Sequence, residues 1–351
     1  AIDSIREGLV MSLNSYIGSE GNIFEEKPKN CHTLKLRHPI ISNWRLEKLR
    51  SVKWGDFLAT TLTTRFRADG GEQELRRAVE DLCQQASQAI KSGYTLIILS
   101  DRGIDHEQAP IPSLLALSAV HHHLIREKTR NQVALIVESG EPREVMHYAL
   151  LLGYGASAVN PYLAIETLED LYRDGSFPAD YTWDKVFKNY MKAVDKGLLK
   201  VFSKMGISTL QSYQGAQIFE AVGLSKSLVE RYFVGTSSRI EGVDLGVLAR
   251  ESLLKHQFAM QPPHESETEL RVGGEYQYRV RGERHLLNPV TVSKLQHAVR
   301  QDKFETYREF AEVVDQQNRD LLMLRGMFDF KPAGKPVPIE KLENLYGHLA
   351  A

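Results

Sequence analysis

Two carboxylates and an arginine stand directly after the most apolar runs of this chain. Asp101 and Arg102 follow Leu96-Ile97-Ile98-Leu99-Ser100, and Glu138 closes the run Ala134-Leu135-Ile136-Val137. In parallel α/β architectures ligands gather beyond the carboxyl ends of the strands, so Ser100, Asp101, Arg102, Glu138 and, after Val159, Asn160 are the first pocket candidates. Read as chemistry, Asp101 and Glu138 form a carboxylate pair and Arg102 an anion clamp. The plainer reading carries more weight: Arg102 pairs with a neighbouring loop and Asp101 caps a turn, because ion pairs commonly hold such loops.

The other constellations are weaker. His121-His122-His123 invites a metal, but consecutive helical side chains point about 100° apart and do not converge on one ion. His256 and His285 have no Ser, Cys or Asp at a triad spacing. Cys31 and Cys83 are far apart and lack the spacing that zinc or an iron–sulfur cluster needs. Cys83 falls on the apolar side of a helical pattern, as a buried free thiol does. Gly153-Tyr154-Gly155-Ala156 and Val272-Gly273-Gly274 lack the phosphate-cradling G-x-G-x-x-G or Gly-Lys-Ser/Thr patterns. Thr236-Ser237-Ser238-Arg239 offers hydroxyls, amides and a guanidinium to an anion, or simply caps a following helix; the cap is the favoured reading.

The elements that must position these residues alternate. An apolar face and the pair Ser4 and Glu7 predict a helix over 3–17, so close to Ala1 that the chain reads as a piece cut from something longer. Residues 34–43 and 57–66 read as extended, 72–90 as a helix stopped by Gly93, and 95–100 as a strand. A helix from Pro112, a strand over 133–137, a helix over 141–152 and a short strand over 156–159 follow. Strand-helix alternation with uninterrupted apolar strands predicts an α/β fold: a barrel-like or doubly wound parallel sheet, with a mostly helical C-terminal half. That half contains helices over 183–202, 216–222, 225–233, 243–260, 289–300 and 304–318, with strands over 207–213 and 275–280. Residues 261–269 read as an exposed loop and the Pro-rich 331–338 as an extended tether. The expected domains are 1–56, an N-terminal helix and connecting segment; 57–330, the α/β body; and 331–351, a linker.

The bulk numbers suit this picture. A chain of 351 residues with 42% hydrophobic and 25% charged content buries one large core or two modest ones. With 44 basic and 45 acidic side chains and a net charge of -1, no global field draws it to nucleic acid or anionic lipid. No segment reaches the roughly 18 consecutive apolar residues of a membrane span. Together with two unpaired cysteines, this predicts a cytoplasmic protein that binds neither nucleic acid nor membrane.

Four runs carry a family resemblance. The longest, Lys204 to Glu220, reads Lys-Met-Gly-Ile-Ser-Thr-Leu-Gln-Ser-Tyr-Gln-Gly-Ala-Gln-Ile-Phe-Glu. It resembles a run in the central domain of the glutamate synthase large subunit. So do Ile5-Arg6-Glu7-Gly8-Leu9-Val10-Met11-Ser12-Leu13, Leu99-Ser100-Asp101-Arg102-Gly103 and Gly235-Thr236-Ser237-Ser238-Arg239-Ile240-Glu241-Gly242-Val243, the four being spread in collinear order over residues 5–243. Gln214 stands where the family is expected to carry Arg, which puts an anion contact there in doubt. Gln211, Tyr213, Ser238 and Arg239 join the pocket or interface candidates on these runs.

The resemblance implies a noncatalytic α/β domain between an amidotransferase domain and a synthase barrel that carries flavin mononucleotide (FMN) and an iron–sulfur cluster. It implies no cofactor in this chain and, as partners, those two domains of the same polypeptide. Glutaminase chemistry needs an N-terminal Cys, whereas this chain begins with Ala1; the cluster needs three cysteines, and the chain has two. The implied role is to connect the domains and help wall a path for ammonia from glutamine to 2-oxoglutarate, with 34–43 near its entry. The competing expectation is an autonomous α/β enzyme or binding domain for a small anionic metabolite, acting through Asp101, Arg102 and Glu138.

Overall fold

A computed structural model describes residues 3, 5–22, 24–261, 272–274, 276–320 and 322–328. The chain divides into two compact units, 1–261 and 262–351. The first begins with a single helical turn, α1 (Glu7–Val10), an antiparallel pair β1 (Ser15–Ile17) and β2 (Leu34–Leu36), helix α2 (Asn43–Arg50), and strands β3 (Lys53–Trp54), β4 (Phe57–Thr63) and β5 (Arg65–Arg67). The alternation continues with α3 (Gly71–Lys91), β6 (Leu96–Ser100), β7 (Gln108–Pro110), α4 (Ser113–Arg126), β8 (Ala134–Glu138), α5 (Val145–Gly153) and β9 (Ala158–Asn160). Helices α6 (Tyr162–Arg173), α7 (Trp183–Met205) and α8 (Leu210–Tyr213), strand β10 (Glu220–Leu224), helix α9 (Lys226–Tyr232), strand β11 (Ser237–Val243) and helix α10 (Leu245–Met260) complete it. In the second unit, α11 (Pro289–Gln301) and α12 (Phe304–Arg319) are joined by Asp302 in the left-handed conformation.

The central sheet runs β3-β4-β6-β8-β9, antiparallel at β3 and parallel thereafter. The parallel strands follow chain order without reversal, which is the barrel-like progression rather than the doubly wound one. Both faces are covered, which is why β6 and β8 are buried at every residue. One face, with Ile97, Leu99, Leu135 and Val137, packs with Leu75, Val79 and Leu82 of α3, Leu117 and Val120 of α4, and Tyr148 of α5. The other, with Leu96, Ile98, Ala134 and Ile136, packs with Ile17, Ile41, Leu46 and Leu49. Ile40 forms a parallel bridge with Val159, so the segment before α2 lies alongside β9. No described helix is long and apolar enough to cross a membrane.

Four local expectations are corrected. The helix predicted over 3–17 shrinks to α1, because Ser12 pairs with Thr209 and the chain becomes extended. Met11, Leu13, Ser15 and Ile17 are then buried at alternate positions, a period of two that the helical reading passed over. Residues 207–213, expected as a strand, keep only the Thr209 bridge to Ser12 before turning into α8, whose first amides are satisfied when Ser212 N donates to the Thr209 hydroxyl. Where a helix was expected over 216–222, β10 pairs in parallel with β11, preceded by positive φ at Gly215 and Gln217. No strand forms at 276–280, the described part of the expected strand over 275–280. The loop at 262–269 and the Pro-rich 331–338 lie outside the described residues.

Candidate functional site

The carboxyl ends of β6, β8 and β9 bring Ser100, Asp101, Arg102, Glu138 and Asn160 together, and each is taken up by this chain. Glu138, at 2% exposure, accepts from Arg50 Nη2 at 2.7 Å and from Arg102 Nε at 2.7 Å. Arg50 also donates to Thr61 Oγ1 at 2.5 Å. Arg102 donates from Nη2 to Glu166 at 2.8 Å and lies over the Tyr162 ring, 3.9 Å from its centroid. Asp101, also 2% exposed, accepts from Ser139 Oγ at 2.5 Å and from the Gly140 amide at 3.2 Å. Ser100 Oγ accepts from the Arg102 amide at 3.3 Å. Asn160 Nδ2 donates to the Ile41 carbonyl and to Asn43 Oδ1, both at 2.9 Å, and so fastens the segment before α2 to the sheet.

The electrostatics follow from these partners. Burial works to raise the Glu138 carboxyl, but hydrogen bonds from Ser100, Arg50 and Arg102 outweigh it and hold the group below the ordinary value. Burial dominates at Asp101 and leaves it raised, against the hydrogen bonds from Ser139, Tyr162 and Gly140. A flavin phosphate at these strand ends would need free amides and guanidinium edges. Gly140 N–H is already given to Asp101, and Arg102 to two carboxylates. The residues present do not fit such a group.

The remaining candidates lie elsewhere. Tyr213 is fully buried in α8, stacks on Phe202 at 4.3 Å between centroids and donates to the Ala149 carbonyl at 3.1 Å, while Gln211 on the same turn is exposed. Gln214 Nε2 donates to the Ala156 carbonyl at 2.6 Å. Ser238 and Arg239 fall within β11 rather than in a helix cap: Ser238 donates to the Leu224 carbonyl at 3.2 Å, and Arg239 pairs with Glu220 at 3.3 Å on the surface. The cap of α10 is Asp244.

The three histidines do not converge on one point: His121 faces Arg130 and meets the His122 ring edge-on at 5.0 Å between centroids, and His123 turns toward Ser87. Cys83 is buried, and burial pushes its thiol up to about 11. Sequence reading missed Arg50, Tyr162 and Glu166, which are 88, 24 and 28 positions from Glu138. Only the barrel-like topology brings them to it.

A family model described as the glutamate synthase central domain matches residues 1–225. The glutamate synthase [NADPH] large chain of Bacillus subtilis is 40% identical over 343 residues, covering 98% of this chain and 22% of that one. Glutamate synthase [NADH] of Schizosaccharomyces pombe is 40% identical over 347 residues, 97% of this chain and 16% of its own length. Ferredoxin-dependent glutamate synthase 1 of Arabidopsis thaliana is 40% identical over 359 residues, 98% of this chain and 22% of its own length. This chain therefore spans about a fifth of these relatives. The flavin-binding domain of baker's yeast flavocytochrome b2 aligns with a TM-score of 0.32 and 15% identity over 53% of this chain and 40% of its own, too low for any argument to rest on it. With the family model spanning 225 of its 351 residues, the chain belongs to the glutamate synthase central domain family.

Proposed function

We propose that this chain is the noncatalytic connecting domain of a glutamate synthase. In this reading it holds an amidotransferase domain and an FMN- and iron–sulfur-bearing synthase barrel in register and helps wall the passage of ammonia between them. One observation carries the proposal: the charged side chains at the strand ends, where a related barrel would hold its ligand, are consumed by one another, Glu138 by Arg50 and Arg102, and Asp101 by Ser139 and Gly140. The relatives named for NADPH, NADH and ferredoxin match equally well, which supports a domain that does not read the electron donor. Ammonia entering water at neutral pH becomes mostly ammonium, so an enclosed path preserves the nucleophile that would add to 2-oxoglutarate. Residues 34–43 are the proposed wall near its entry, 57–330 the body of the domain, and 331–351 the linker toward the barrel.

Purified alone, the chain should show no glutaminase or flavin-dependent turnover, and its denatured supernatant no FMN by mass spectrometry; a stoichiometric flavin would sink the reading. Within a whole synthase, Lys35→Trp or Arg37→Trp, at exposed positions of the wall segment, should raise the free ammonia released per glutamine consumed. Unchanged coupling would remove 34–43 from the wall. The opposed shifts of Asp101 and Glu138 favour one second reading, an acid–base pair acting on a small anionic metabolite. It requires an anion-induced thermal shift that Arg102→Ala abolishes.

A further inference from the structure

Helix α7 carries six lysines against two aspartates. Lys188, Lys192, Lys196, Lys200 and Lys204 recur at every fourth position. Each step of four residues advances the direction by about 40°, so Lys188, Lys192 and Lys196 share a ridge about 12 Å long, while Lys204 points about 160° away from Lys188. Lys185 pairs with Asp180 and Lys200 with Glu7. Among the described residues, Lys188, Lys192 and Lys196 have no carboxylate within 4.0 Å. Like charges one turn apart repel, and the two aspartates of the helix, Asp184 and Asp195, leave a surplus of positive charge along this ridge.

Against this ridge lies a cavity of about 440 Å³ lined by Arg45 of α2, Lys188 and Lys192, with Ile40, Phe187 and Met191 as its apolar lining. We propose that this basic groove receives an acidic polypeptide segment bearing an apolar side chain. Its carboxylates pair with Arg45, Lys188 and Lys192, Lys196 extends the contact by a turn, and the apolar side chain covers the partly exposed Phe187 and Met191. Charge complementarity and length select this occupant. A single small anion leaves most of the ridge unneutralised, and the apolar lining is of no use to the phosphates of a nucleic acid; the Asp195 carboxylate, 2.7 Å from His38, faces any anionic occupant alike.

The test is fluorescence anisotropy on the whole chain with a fluorescein-labelled peptide in which glutamates flank a Leu-Phe pair. Saturable binding that weakens as salt rises is expected. Lys188→Glu with Lys192→Glu should raise Kd by about tenfold or more, whereas Lys204→Glu, the same charge change on the far side of the helix, should change it less than about twofold. Replacing Leu-Phe by serines should weaken binding as well. Far-UV circular dichroism checks that the variants fold; if the glutamate pair does not, Lys188→Gln with Lys192→Gln should shift Kd in the same direction. The proposal is overturned by no peptide binding, by equal loss with Lys204→Glu, by displacement with inorganic phosphate or citrate at matched ionic strength, or by equally tight binding of a single-stranded oligonucleotide.

Discussion

Arg130 places Nε 3.0 Å from Nδ1 of His121. The same guanidinium donates to the Val133 and Gly155 carbonyls, both at 2.7 Å, so one half-buried cation ties α4 to the start of β8 and to the turn before β9. Gly155 has φ +104°, and a Cβ there would collide with the His121 ring. The ring must accept from Arg130, so it stays unprotonated at Nδ1. Burial first, then the charge of Arg130 and the nearby His122, push its pKa down to about 3, and burial with Arg126 pushes His122 down to about 4.

A pH dependence follows. Unfolded histidine titrates near 6.5, so below that pH the unfolded chain binds protons that the folded chain refuses. The contribution is fully present above pH 6.5 and is lost as pH falls toward about 3. The urea midpoint should therefore drop between about pH 7 and pH 5, and His121→Gln, which keeps an acceptor for Arg130, should flatten that drop. An equally steep drop in the variant would rule out His121 as its source.

Glu138→Gln should destabilise the protein by about 3 kcal/mol, since it removes a buried charge that two guanidinium groups share. Arg102→Ala should cost less, about 1 kcal/mol, because Arg102 is 40% exposed and Arg50 still neutralises Glu138. Urea unfolding at neutral pH gives both values, and reversal of their order would contradict a Glu138-centred lock.

Tyr213→Phe should cost about 1 kcal/mol by leaving the Ala149 carbonyl without its donor. Tyr213→Ala should cost about 4 kcal/mol, through a cavity against Phe202. Small effects from both would mean that α8 is not packed as described.

Gly206 ends α7 in the left-handed conformation at φ +73° with open space around it. Gly206→Ala should lower stability by about 1 kcal/mol, with Gly206→Asn intermediate. Thermal unfolding of the three proteins should show that order.

The parallel sheet was legible because apolar runs of five residues between helical periods leave few alternatives. The cluster at the strand ends was legible as a location and, in its plainer reading, as ion pairs. Its actual partners were not, since Arg50 and Glu166 approach Glu138 only through the order of the strands. Errors gathered where tertiary pairing overrode local pattern: Ser12 against Thr209, and β10 against β11. In β10 the apolar residues Ala221, Val222 and Leu224 fit a helix as well as a strand, and only Ser237–Val243, more than ten positions on, decides between them.

The bridge between Ile40 and Val159 bears on how the central sheet is closed to further strands. Val159 donates to the Pro39 carbonyl at 2.8 Å and accepts from the Ile41 amide at 2.9 Å, so the last parallel strand offers no open row of amides there. At the opposite margin β3 is only two residues long. Strand addition from another polypeptide, or from a second copy of this one, is blocked on the first margin and starved of length on the second. A polypeptide that meets the central sheet must therefore do so through side chains and helix faces, and such a contact can be altered by surface substitution without unravelling the sheet.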